Sequence, residues 1–182
     1  MSKYAEKAYD ETLVNKAFAK LQKLNKNATT LEENTLSNVT EWIDTGCLVL
    51  NSILSGSLYG GVPKGRITIF AGEAQCGKTF ILNKILAKAQ KAGMTPVIFD
   101  TEVAIEKEGA ENVGLDVSNV KYVPVDTVEN CRNQIMAFLD GVEEEPGLHG
   151  KFIISIDSLG NLASSKEIAD AEANKGAMDM GL

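Results

Sequence analysis

Residues 72–79 read Gly72-Glu73-Ala74-Gln75-Cys76-Gly77-Lys78-Thr79, two glycines five positions apart with a lysine and a hydroxyl residue directly after the second. That spacing suits phosphate chemistry. Glycines let backbone N–H groups turn inward around an anion, and a helix beginning at the lysine adds the positive end of its dipole. The ammonium of Lys78 would then reach the β- and γ-phosphates of a nucleotide, and the Thr79 hydroxyl would ligate Mg²⁺. All eight residues, 72 to 79, are candidate nucleotide contacts. A glycine turn that merely joins a strand to a helix uses the same letters. The flanks favour phosphate binding, with apolar Ile67-Thr68-Ile69-Phe70-Ala71 before the loop and a helical pattern over residues 78–90 after it.

Two carboxylates extend the chemistry. Phe152-Ile153-Ile154-Ser155-Ile156-Asp157 is an apolar run ending in an acid. By itself this is a common way to end a strand at a turn. Two or three strand-helix units after a phosphate loop, it reads as the residue that holds Mg²⁺ through the ion's water shell, which assigns that role to Asp157. Pro96-Val97-Ile98-Phe99-Asp100-Thr101-Glu102 also delivers acids to the end of a strand, where open α/β sheets bind their ligands. For Glu102 two readings stay open at this level. It is either a carboxylate that polarises a water attacking the γ-phosphate or an exposed first-turn residue that complements a helix dipole.

The elements that must position these groups follow from hydrophobic period. Strands are expected at residues 66–71, 96–99, 120–123 and 152–156, with helices at 78–90, from 105, and at 127–141. Alternation of this kind gives a largely parallel sheet with helices on its faces, an α/β fold. Before it, Asp44-Thr45-Gly46 leads into an apolar helix with Leu48, Leu50, Ile53 and Leu54, and Tyr59-Gly60-Gly61-Val62-Pro63 reads as loop and turn. Residues 10–25 place Leu13, Val14, Ala17, Phe18, Leu21 and Leu24 on one helical face, and the Asn- and Thr-rich stretch 25–38 is a linker. A domain boundary therefore falls near residue 38.

With 182 residues, 44% hydrophobic and 24% charged, the chain can bury one sizeable core. A formal net charge of −7 argues against a surface that is wholly a nucleic-acid footprint. No apolar run approaches a bilayer span and the first residues lack a signal-peptide layout, so no membrane association is expected and the location is cytoplasmic. The three cysteines, Cys47, Cys76 and Cys131, suggest neither a disulfide framework nor a zinc site. His149 is isolated in a loop, and Glu143-Glu144-Glu145 reads as a solvated helix end.

Four stretches follow in order: Ile43-Asp44-Thr45-Gly46-Cys47-Leu48, Gly60-Gly61-Val62-Pro63-Lys64-Gly65-Arg66 running into the phosphate loop, Phe99-Asp100-Thr101-Glu102 followed by Gly114-Leu115-Asp116, and Ile156-Asp157-Ser158-Leu159. Together they resemble the RecA recombinase family. Continuing through Gly160-Asn161-Leu162-Ala163-Ser164, the last is especially similar to the UvsX-type recombination proteins of tailed phages. The resemblance implies a RecA-like ATPase core over residues 39–182, incomplete at its C-terminal end. Residues 1–38 would be an oligomerisation helix and linker, the helix docking either on a neighbouring protomer or on its own core. It further implies ATP and Mg²⁺ as ligands, a helical filament of identical subunits on single-stranded DNA, and homologous pairing with strand exchange. A phage-encoded copy would work in the cytoplasm of its bacterial host. In the family the acid matching Glu102 acts on the attacking water, and Lys78 and Glu102 become the catalytic pair. Two departures stand out. Where bacterial members stack an aromatic ring on adenine, this chain has Glu106-Lys107-Glu108-Gly109-Ala110. It also stops at Leu182, ahead of the DNA-binding loops and the polar sensor of the γ-phosphate. A RecA-fold replicative helicase and a non-enzymatic modulator of recombinase filaments are the alternatives.

Overall fold

A computed structural model describes residues 11–103 and 105–179. Chain contacts define two units, Met1–Asn38 and Val39–Leu182. The first holds helix α1 (Glu11–Leu24), whose Leu13, Val14, Leu21 and Leu24 are exposed and whose last turn carries Lys23 at the negative end of the dipole. The expected helix start at Asp10 lies outside the described residues. Short polar turns follow, pinned by Gln22 Nε2 donating to the Ala28 carbonyl at 3.1 Å and Thr29 Oγ1 donating to Glu33 at 2.8 Å.

The second unit opens with a small antiparallel pair, β1 (Trp42–Ile43) and β2 (Val62–Pro63), with Ile43 opposite Val62. Between them runs α2 (Leu48–Ser55). Residues 62–63, expected as loop, pair as a strand here, since a two-residue strand carries no period to read. Gly61 explains the glycine pair: its φ is +138°, and a Cβ there would lie 2.1 Å from the Ile43 carbonyl oxygen. Buried Asn51 organises this corner. Its Oδ1 accepts from the Thr45 N–H at 2.9 Å and the Thr45 hydroxyl at 2.7 Å, while Nδ2 donates to Asp44 at 2.9 Å and to the Leu58 carbonyl at 3.1 Å.

The main sheet is parallel, in the order β4–β3–β5, built from β3 (Thr95–Asp100), β4 (Lys121–Pro124) and β5 (Phe152–Asp157). Helices cover both faces, as the period-2 alternation of strand side chains requires. Ile98 packs with Leu86 and Ala87 of α3 (Lys78–Lys91) and Ala110 of α4 (Lys107–Asn112). Val97 and Phe99 pack with Cys131 and Phe138 of α5 (Val128–Glu144), which begins at an N-cap where Thr127 accepts the Asn130 N–H. Fully burying each such β3 side chain contributes roughly 1.5–3 kcal/mol. After β5 comes α6 (Ser165–Asp179). No helix among the described residues is long and apolar enough to cross a membrane.

One expected strand is not formed. Residues 66–71 pair with no strand among the described residues, and Ile67 is 93% and Ile69 73% exposed. An alternating apolar run becomes a strand only when a neighbour supplies the ladder.

Candidate nucleotide site

α3 begins without the usual capping groups. Its N-cap is Gly77, at φ 91°, a left-handed value that glycine adopts freely, and there is neither a side-chain cap nor an acidic residue in the first turn. The orphan N–H groups of that turn and the dipole behind them therefore suit an external anion. Residues Glu73, Ala74, Gln75 and Cys76 are exposed in the loop ahead of it. Lys78 folds back across the loop, its ammonium donating to the Gly72 carbonyl at 3.1 Å and the Glu73 carbonyl at 2.8 Å. Those two carbonyl oxygens occupy the ammonium as phosphate oxygens would.

The sheet delivers the acids to the same place. Asp100 and Asp157 are in register at the C-terminal ends of adjacent parallel strands. The Thr79 hydroxyl donates to Asp157 Oδ2 at 2.8 Å across 78 residues of sequence, joining the first turn of α3 to the end of β5. A hydroxyl and a carboxylate oxygen brought together in this way are hard donors of the type Mg²⁺ takes, with waters completing its octahedron. Among the described residues no group of three or more His, Cys, Asp or Glu forms a further metal cluster. The donor set therefore fits a Mg²⁺ that arrives with phosphate, and does not fit an all-protein metal cage.

Glu102 sits beside this pair through a network that residue patterns alone did not show. Thr101 locks the ends of the two strands: its N–H donates to the Asp157 carbonyl at 2.9 Å, its hydroxyl donates to the Ser158 carbonyl at 2.9 Å, and the Ser158 N–H donates back at 3.0 Å. The Asp157–Ser158 peptide is cis. Asp100 is only 1% exposed and accepts four hydrogen bonds, from the N–H groups of Glu102 and Val103 at 2.9 Å, of Ile105 at 3.4 Å, and from the Tyr122 hydroxyl at 2.9 Å. Burial, together with that bond to Asp100, pushes the Tyr122 phenol above its ordinary value. Asp100 thus organises the turn and is not available to a ligand, whereas the neighbouring Glu102 carboxylate accepts from Ser158 Oγ at 3.1 Å and from Asn161 Nδ2.

Lys78, Thr79 and Asp157 are therefore brought together at one end of the sheet, with Glu102 tied to the residue that follows Asp157. Sequence reasoning missed Asp100, Thr101, Tyr122, Ser158 and Asn161 as supports. The signal was present only as polar residues clustered just past two apolar strands.

Comparison with known proteins follows the same lines. The model of a family described as the RecA N-terminal domain matches residues 12–181. A protein named RecA from Clostridium botulinum is 34% identical over 152 residues, 84% of this chain and 39% of the relative. Another from Nitratiruptor is 36% identical over 142 residues, 78% of this chain and 38% of that protein. A recombination and repair protein of phage T4 is 32% identical over 145 residues, 79% and 36% of the two chains. The chain spans about two fifths of the length of the curated relatives it matches.

Proposed function

Because this chain belongs to the RecA N-terminal domain family, we propose that it is the nucleotide-binding portion of an ATP-dependent DNA recombinase. The observation that carries this reading is the 2.8 Å contact between Thr79 and Asp157, which unites the phosphate loop with an acid at the end of the sheet. Residues 72–79 cradle the phosphates, with the loop amides and the α3 N-terminus facing the anion and the Lys78 ammonium exchanging its carbonyl partners for phosphate oxygens. Mg²⁺ would be held by the Thr79 hydroxyl and, through water, by Asp157, and when bound it supplies charge neutralisation between the β- and γ-phosphates. Glu102 accepts a hydrogen bond from the attacking water and draws charge onto it.

The similarity to the phage T4 recombination and repair protein and the run from Ile156 to Ser164 support a UvsX-type assignment. In that reading residues 1–38 form an oligomerisation element. The exposed apolar stripe of α1 docks on a neighbouring protomer and extends a helical filament on single-stranded DNA. The net charge of −7 means that DNA contact in this reading is local and not spread over the whole surface. The work is cytoplasmic, in a bacterial host for a phage-encoded copy. The test is ATP hydrolysis by the intact gene product with and without single-stranded DNA. Stimulation by DNA is expected, with Glu102→Gln keeping nucleotide affinity and losing turnover by at least about tenfold. Unchanged turnover in Glu102→Gln would return that residue to a helix-dipole role.

A further inference from the structure

Glu102 is held at both of its ends. Its N–H donates to Asp100 Oδ1 at 2.9 Å, which fixes the backbone. Its carboxylate is met by two side chains that arrive from a different part of the chain. Ser158 Oγ donates to Oε1 at 3.1 Å, and a single 3₁₀ turn, Leu159–Asn161, folds the segment after β5 back so that Asn161 Nδ2 donates to the same oxygen. Among the described residues Oε2 takes no hydrogen bond. A glutamate side chain has three torsions and loses rotamer entropy when ordered. Two donors on one oxygen restrain the carboxylate and leave the second oxygen free to accept from a ligand or water.

We infer that Asn161 is a positioning residue for Glu102: its amide anchors Oε1, so that Oε2 is presented to the attacking water. This rests on the water-polarising role of Glu102 argued above. The residue type matters. A neutral amide holds a carboxylate without cancelling its charge, whereas a lysine or arginine in the same place would quench the acceptor that the reaction needs. Ser158 shares the anchoring, but its backbone also closes the Thr101 lock on Asp157, so Asn161 is the cleaner residue to change.

The experiment is steady-state ATP hydrolysis by the intact gene product with Mg²⁺ and single-stranded DNA. Asn161→Ala is expected to lower kcat about tenfold with KM for ATP changed less than about twofold, because orientation is lost and binding is not. Asn161→Asp keeps the shape but sets a like charge against Glu102, so it should fall below the alanine variant. Asn161→Gln retains the donor and should recover part of the loss. A purely space-filling role gives the opposite order, with the isosteric aspartate near the parent. In a Glu102→Gln background the same substitutions should change kcat by less than about twofold. Parent-like turnover in Asn161→Asp, or faster turnover in Asn161→Ala, overturns the inference. If Glu102→Gln itself turns over normally, the role of Glu102 fails first; if it is inactive while Asn161→Ala is normal, only the positioning role fails. A direct readout needs no turnover: the Asn161 side-chain amide protons in the 182-residue chain should shift on Glu102→Gln. Unmoved resonances would also overturn it.

Discussion

Residues 66–71 and β3 carry nearly the same local message and meet opposite fates. Arg66-Ile67-Thr68-Ile69-Phe70-Ala71 and Thr95-Pro96-Val97-Ile98-Phe99-Asp100 are both short apolar runs. β3 has a parallel partner on each side and Phe99 is 1% exposed, while residues 66–71 pair with no strand among the described residues and leave Ile67 in solvent. The difference lies in neighbours, since a strand is stabilised by its ladder and by the faces packed on it. Consequently the carboxylate half of the proposed nucleotide site, at the ends of β3 and β5, stands on a sheet whose central strand, β3, is buried. The segment entering the proposed phosphate loop is held instead through Phe70, which packs against Ile43, Val62, Ile85, Ala89 and Met94.

The contrast can be broken most directly in the core. Phe99→Ala is expected to lower unfolding free energy by about 3–5 kcal/mol, whereas Ile67→Ala should cost less than about 0.5 kcal/mol. Urea unfolding of the two variants decides it, and comparable losses would mean that Ile67 is packed. A smaller effect sharpens the role of the polar corner. Hydrogen bonds from Asn51, from Lys88 at 2.7 Å and from the Gly46 N–H hold the Asp44 carboxyl at about 2, below its ordinary 3.8. Because the folded value is depressed, the stabilisation is complete above the ordinary value of 3.8 and is lost as pH falls towards 2. Asp44 is 44% exposed, so solvent screening reduces the contribution to on the order of 1 kcal/mol. Asp44→Asn should flatten stability over that acid window, and an unchanged pH profile would remove the network from the explanation.

The smallest effect concerns the interface of α3 with β5. Ser155 Oγ and Asn83 Oδ1 are buried with no hydrogen-bond partner among the described residues. Ser155 shares a strand face with Asp157, and Asn83 lies one helical turn beyond Thr79. Ser155→Ala should raise stability by about 0.5–1 kcal/mol, since it deletes an unpaired hydroxyl. A loss of stability on chemical unfolding would show that the hydroxyl has a partner.

Local patterns located α3, β3, β4, α5 and β5 to within a few residues, because each element's period is written in its own side chains. The proposed phosphate loop is read from contiguous residues, Gly72 to Thr79, for the same reason. Residues 66–71 misled because alternation is local and pairing is not. The supports of Glu102 were hidden because they converge from far apart, with Tyr122 reaching Asp100 across 22 residues and Asn161 reaching Glu102 across 59. Nothing in a linear pattern distinguishes Asp100, buried and saturated with donors, from Glu102 two positions on.

Binding of a Mg²⁺-nucleotide by residues 72–79 with Asp157 is measured directly by calorimetric titration of the 182-residue chain with Mg²⁺-ATP. Lys78→Ala removes a charge-assisted contact worth roughly 1.5–3 kcal/mol, so the variant should bind at least about tenfold more weakly than the parent. Equal affinity in the two proteins would contradict the assignment of this loop to phosphate.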